Sequence, residues 1–90
     1  MEETLNVAKL VHDYLARFYK HYKLDKDQTD TEFADWCLSN LGREYRNWMY
    51  HPGGSYDTYS VIHILDPGWC TVFELRWAHL IIGTIDIKQI

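Results

Sequence analysis

Cysteine, proline and positive charge are all scarce in this chain. Two cysteines, Cys37 and Cys70, in 90 residues are too few for a disulfide-built secreted scaffold. The expectation is a cytoplasmic protein with both thiols reduced. Nine Lys and Arg stand against thirteen Asp and Glu, a net charge of −4. That balance argues against a general nucleic-acid or anionic-membrane binder, which needs a basic footprint. No apolar run is long enough to span a bilayer. The chain starts with Glu2 and Glu3 rather than with basic residues before an apolar run, so no secretory leader is expected.

Catalytic and ligand motifs are missing too. There is no G-x-S-x-G, no Walker loop, no dinucleotide fingerprint, no C-x-x-C and no H-E-x-x-H. His12, His21, His51, His63 and His79 follow no tight ligand spacing. The expectation is therefore a non-enzyme with no cofactor and no metal. Cys37 lies on an apolar stripe and reads as a small core residue. His63 alternates with Val61 and Leu65 and reads as a hydrogen-bonded sheet residue.

Aromatic residues are abundant, at 16% of the chain. A domain this small buries only about 60–65% of its unfolded surface, so large side chains carry much of its core. One domain, residues 1–90, is expected. Glu3 to Lys23 reads as an amphipathic helix, with Leu5, Ala8, Val11, Leu15, Phe18 and Tyr22 at three- and four-residue steps. Thr29 and Glu32 have capping-box spacing ahead of Phe33, so a second helix is expected from Asp30 to Tyr50. Its stripe is Phe33, Cys37, Leu41, Tyr45 and Trp48, with Gly42 as a weak point. His51-Pro52-Gly53-Gly54 ends it.

Three β-branched and aromatic runs follow: Tyr56–Leu65, Trp69–Trp77 and His79–Ile87. Asp66-Pro67-Gly68 would turn a hairpin, with Leu65 opposite Trp69 and Val61 opposite Phe73. Residues 71–82 also fit a helical period through Phe73, Trp77 and Leu80. The expected fold is α+β: two N-terminal helices on one face of a small three-stranded antiparallel sheet, in the order α-α-β-β-β.

Two surface features bear on function. Asp25, Asp27, Asp30, Glu32 and Asp35 stand against Lys26 alone, and five acids minus one base equal the net charge of the whole chain. Such a patch can dock on a basic protein surface or imitate nucleic-acid phosphates; it also suits a solvated helix start. Trp36, Tyr19, Met49, Tyr50, Tyr56 and Trp77 exceed the room on the expected core faces, and Trp36 and Tyr50 are interface candidates. These features point to a protein-binding module, in concrete form a virus-encoded inhibitor of host machinery. An anti-CRISPR or other anti-defence protein that blocks a nucleic-acid-receiving site of a host complex in the host cytoplasm fits this size, charge and lack of motif. Homodimer formation through Trp36–Tyr50 or through an edge strand at Ile81–Ile87 is a further expectation. The alternative is a nucleic-acid-binding or regulatory protein using Arg17, Lys20, Lys23 and Lys26, where basic and aromatic residues interleave at the end of helix one.

Overall fold

The computed structural model describes residues 7–54 and 58–86. Its elements are α1 (Val7–Ala16), β1 (Lys20–Leu24), a 3-10 turn (Lys26–Gln28), α2 (Thr31–Asn40), β2 (Trp48–His51), β3 (Ser60–Ile64), α3 (Pro67–Trp77) and β4 (Ile81–Thr84). The strands form one sheet in the order β2-β3-β1-β4. Every neighbouring pair is antiparallel. Thus β1 and β2 run parallel on either side of β3, joined through α2. Likewise β3 and β4 run parallel on either side of β1, joined through α3. Two interleaved split βαβ units of this kind make the ferredoxin-like topology, here preceded by α1.

The expected α-α-β-β-β order, with two N-terminal helices on a three-stranded sheet, is overturned: among the described residues there are four strands and three α-helices, interleaved as α-β-α-β-β-α-β. The first expected helix, Glu3 to Lys23, is two elements. Its helical part ends at Ala16, and Lys20–Leu24 becomes a central strand. Phe18 and Tyr22 satisfy a four-residue step, but Tyr22 and Leu24 also satisfy the two-residue step of a strand. Pairing on both sides decides between them, with His21 opposite His63 and Tyr22 opposite Thr84. Residues 3–6 of that expected helix lie outside the described residues.

The second expected helix, Asp30 to Tyr50, is also divided. Phe33, Cys37 and Leu41 are buried as the periodicity predicts. The helix then stops where Gly42 adopts φ 95°, a left-handed value that closes helices without Cβ strain. Trp48–His51 pairs with β3 instead. Asp30, not Thr29, caps α2, and its carboxylate accepts the Phe33 N–H at 3.1 Å. Glu32 leaves the expected capping box to bind Arg76.

The expected hairpin at Asp66-Pro67-Gly68 does not form. Asp66 caps α3, accepting the N–H groups of Gly68 and Trp69, and Pro67 occupies the first helical turn where its missing donor costs nothing. Trp69–Trp77 is therefore helical, and Ala78 ends that helix rather than turning a hairpin. The strand expected at Tyr56–Leu65 is confined to Ser60–Ile64, with residues 55–57 outside the described set. The strand expected at His79–Ile87 is Ile81–Thr84, and residues 87–90 lie outside the described set.

The main core lies between the sheet and the α2–α3 layer. Tyr22, Leu24, Trp48, Ile62 and Ile64 of the sheet meet Phe33, Cys37, Phe73 and Trp77 of the helices. A smaller cluster, Leu15, Phe18 and Met49, lies on the other sheet face, under α1. No helix among the described residues is long and apolar enough to cross a membrane.

Candidate functional site

Capping starts α2 at Asp30 and α3 at Asp66, and both helices lay their apolar stripes on the same sheet face. Their contact is aromatic. Trp36 of α2 lies edge-on to Trp69 of α3, with ring centroids 6.3 Å apart and planes at 80°. Trp36 also meets Phe73 at 6.2 Å and Trp77 at 6.1 Å. Phe73 and Trp77 are buried, whereas Trp36 is half-buried and Trp69 is 36% exposed. Trp69, Val72 and Arg76 follow three- and four-residue steps on α3, and Val72 is exposed. At the far end Arg76 pairs with Glu32 at 3.0 Å and stacks over Trp77 at 4.0 Å. Asp35 is exposed beside Trp36 in the chain. The outer α2–α3 surface thus carries two aromatic edges, the exposed aliphatic side chains of Leu38, Val72 and Leu75, and a charged end.

The acidic stretch is only partly available. Asp25 accepts the Asp27 N–H and the Gln28 side-chain amide, and Asp30 caps α2, so both carboxylates are turned onto the chain itself. Glu32 is bridged to Arg76. Asp27 and Asp35 are exposed. Tyr50 lies on β2, away from the helix first expected to carry it. Its hydroxyl donates to Thr29 at 2.9 Å, and its ring packs on Phe33. The Trp36–Tyr50 stretch is therefore not one helical face. Of the other surplus aromatics and methionine, Met49 and Trp77 are buried, Tyr19 is exposed, and Tyr56 lies outside the described residues.

The four cations of the alternative reading are dispersed. Arg17 stacks on Tyr14 and Phe18 and donates to the carbonyls of Tyr45 and Arg46. Lys20 binds Glu74 at 2.8 Å, which holds its ammonium pKa above the ordinary value. Lys23 lies over the Tyr59 ring, and Lys26 donates to the Gly54 carbonyl. Lys20 and Lys23 stand three apart on one strand, so they leave opposite sheet faces.

Among the described residues no group of three His, Cys, Asp or Glu is arranged to hold a metal ion. Cys37 and Cys70 are buried, free thiols. Burial pushes Cys37 up to about 12 and raises Cys70 as well, so neither is an activated nucleophile at neutral pH. His63 is buried and bonded to His21, as its place on the sheet suggested. An apolar groove of about 360 Å³ lies between α1 and β2, lined by Leu10, Val11, Tyr14, Leu15, Met49 and His51.

Trp36 was identifiable from the sequence as an interface candidate. Trp69, Val72 and Arg76 were not, because Trp69–Trp77 reads first as a strand, and the alternative helical period over 71–82 runs through Phe73, Trp77 and Leu80 instead. The signal that would have found them is the Asp-Pro pair, which opens a helix as readily as it turns a hairpin. Comparison with protein-family models, curated proteins and solved structures returns no match. The topology is shared by proteins of many functions and names none of them.

Proposed function

We propose that this chain is a non-enzymatic protein-binding module that engages its partner through the outer α2–α3 face. Trp36 and Trp69 are the anchors. The observation that supports this reading best is their edge-to-face packing across the two helices, which fixes both rings while leaving them partly exposed. Rigid aromatic edges on paired helices bind with little loss of side-chain freedom, and interface energy concentrates in such residues. Asp35, exposed next to Trp36 in the chain, and Asp27, exposed before α2, supply negative charge on this side of the molecule, favouring a partner whose apolar patch has a basic rim.

A surface that receives nucleic acid has such a rim. Occupying it would block it, which is the inhibitory, anti-defence form of the reading. A reducing cytoplasm suits a chain with two buried free thiols.

The test is affinity capture with the wild-type chain and with Trp36→Ala/Trp69→Ala, Asp27→Lys/Asp35→Lys and Ile82→Ala variants. Ile82 is 57% exposed on β4, outside the α2–α3 layer, and serves as the control. The expected result is a protein retained by wild type and Ile82→Ala, lost with the tryptophan pair, weakened by charge reversal and released by added duplex DNA. Equal retention by all four chains overturns the assignment of the face. Direct binding of duplex DNA to the chain at low salt, lost on Lys20→Glu/Lys23→Glu, would replace it with the nucleic-acid reading.

A further inference from the structure

Three histidines cross the sheet beneath α1. His21 of β1 stands directly opposite His63 of β3, and His51 of β2 is one pleat along from the Met49–His63 pair. The His21 and His63 rings are 5.0 Å apart, and those of His51 and His63 are 5.2 Å apart. Both central rings are buried, at 7% and 3% exposure. Their Nδ1 atoms lie 2.8 Å apart and share one hydrogen bond. We propose that α1 is an acid-released cover, held on the sheet by the neutral, buried imidazoles of His21 and His63 and freed when they take up protons.

The bond between two Nδ1 atoms needs one N–H and one lone pair. A single proton added to the pair sits in a buried place. A second sets N–H against N–H and breaks the bond. Phe18, which follows α1, packs on His63 at 5.8 Å, and the Arg17 guanidinium stacks on Phe18 at 4.4 Å. New positive charge therefore develops beneath an aromatic ring that already carries a cation.

The other facing groups are few. From α1 come His12 and Asp13, with His12 Nδ1 3.8 Å from the Asp13 carboxylate. On β1, Lys23 shares the face of His21 while Lys20 leaves the other face toward Glu74, and His12, Lys20 and Asp86 line the cavity beside His21. Asp86, beyond β4, favours the charged form of His21 and opposes the effect there, but desolvation outweighs it and the pKa of His21 is lowered. That of His63 is lowered to about 3, by burial first and then by His21 and His51.

The cover is lightly held. Leu15 is buried, but Leu10, Val11 and Tyr14 stay exposed, and the clasp beyond it is Tyr14 and Arg17 bonded to the Tyr45 carbonyl. The α2–α3 core on the other sheet face contains none of these groups. Local opening of α1 without global unfolding follows from that separation. The sign is that of a histidine with a depressed pKa: the holding force is complete above the ordinary value of 6.5 and fades as pH falls below it. A ring that titrates normally when uncovered, and stays neutral when covered, favours opening about thirty-fold more at pH 5 than at pH 7.5.

Native-state hydrogen exchange at those two pH values, corrected for intrinsic chemistry, tests the proposal. In wild type, α1 amides should lose about thirty-fold in protection while amides of α2 and α3 keep theirs. In His63→Gln, which can still donate to His21 but cannot titrate, α1 should lose much less. Unchanged α1 protection in wild type overturns the proposal, as does an equal loss in His63→Gln or a loss shared by α2 and α3. Should His63→Gln fail to fold, the ring nitrogen shifts of wild-type His63 decide. A neutral ring wherever α1 is protected supports the cover; a protonated ring under a protected α1 overturns it.

Discussion

Tyr22 of β1 donates its hydroxyl to Glu74 of α3 at 2.6 Å, joining the sheet to the helix layer. The same carboxylate oxygen receives the Lys20 ammonium at 2.8 Å. The Lys20 and Tyr22 bonds pull Glu74 below its usual carboxyl value, while burial and the Glu74 bond push the Tyr22 phenol upward. Tyr22 is buried and Glu74 is half-buried, so the bond is shielded on one side.

Tyr22→Phe removes a charge-assisted bond without opening a cavity and should cost about 1–2 kcal/mol at pH 7. Glu74→Gln should cost less, because the amide still accepts the phenol. The pH sign differs between the partners. Glu74, with its pKa lowered, stabilises the fold above its ordinary 4.5, and that contribution fades as pH falls below it. Lys20, with its pKa raised, contributes below 10.5 and fades above it. Urea unfolding at pH 7 and pH 3.5 checks this: the gap between wild type and Glu74→Gln should shrink at the lower pH.

Asp66→Ala should destabilise by about 1 kcal/mol, the usual cost of a lost N-cap. Its carboxylate takes the N–H groups of Gly68 at 2.7 Å and Trp69 at 3.2 Å, and both are left without that acceptor in the variant. Asp66→Asn should recover most of the loss. A thermal melt of the three chains is sufficient. No difference between Ala and wild type would mean that the cap contributes nothing.

The Asp66 result bears on what the sequence disclosed. Trp69–Trp77 contains Thr71, Val72, Phe73 and two tryptophans, all residues that suit strands, and tertiary packing overrode that preference. Cys70, Phe73 and Trp77 point to one face only at helical spacing, and the cap with Pro67 starts that spacing. The stripe Phe33-Cys37-Leu41 was readable because its period is local, even though Asp30 rather than Thr29 caps the helix. Leu24 and Tyr22 were not, because a central strand pairs with residues forty and sixty positions away. The acids and Trp36 stood out locally. The Trp36–Trp69 contact and the histidine row depend on register and helix packing, which no local pattern contains.

Gly42→Ala should cost about 1–2 kcal/mol. Gly42 has φ 95°, and a Cβ there would come 3.0 Å from the Asn47 side-chain oxygen, which accepts the Arg43 N–H. The neighbouring Trp48 indole donates to the Gly42 carbonyl at 3.0 Å, so the loop between α2 and β2 cannot shift freely. Gly42→Asn should be milder, since Asn tolerates left-handed backbone. Denaturant midpoints separate the two, and equal midpoints for Gly, Asn and Ala would refute the strain argument.

Trp69→Ala and Phe73→Ala separate binding from folding on the same helix. Phe73 has no exposed area and touches Tyr22, Phe33 and Trp36, so its truncation should cost about 3–5 kcal/mol. Trp69 has one ring partner among the described residues, Trp36, and over a third of its surface in water. Its truncation should cost about 1–2 kcal/mol. A chain carrying Trp69→Ala should therefore stay folded at 25 °C while losing its partner, which a core tryptophan could not do. If Trp69→Ala proves as destabilising as Phe73→Ala, its ring belongs to the core and the binding face must be sought elsewhere. Urea midpoints measured beside the capture experiment distinguish the two outcomes.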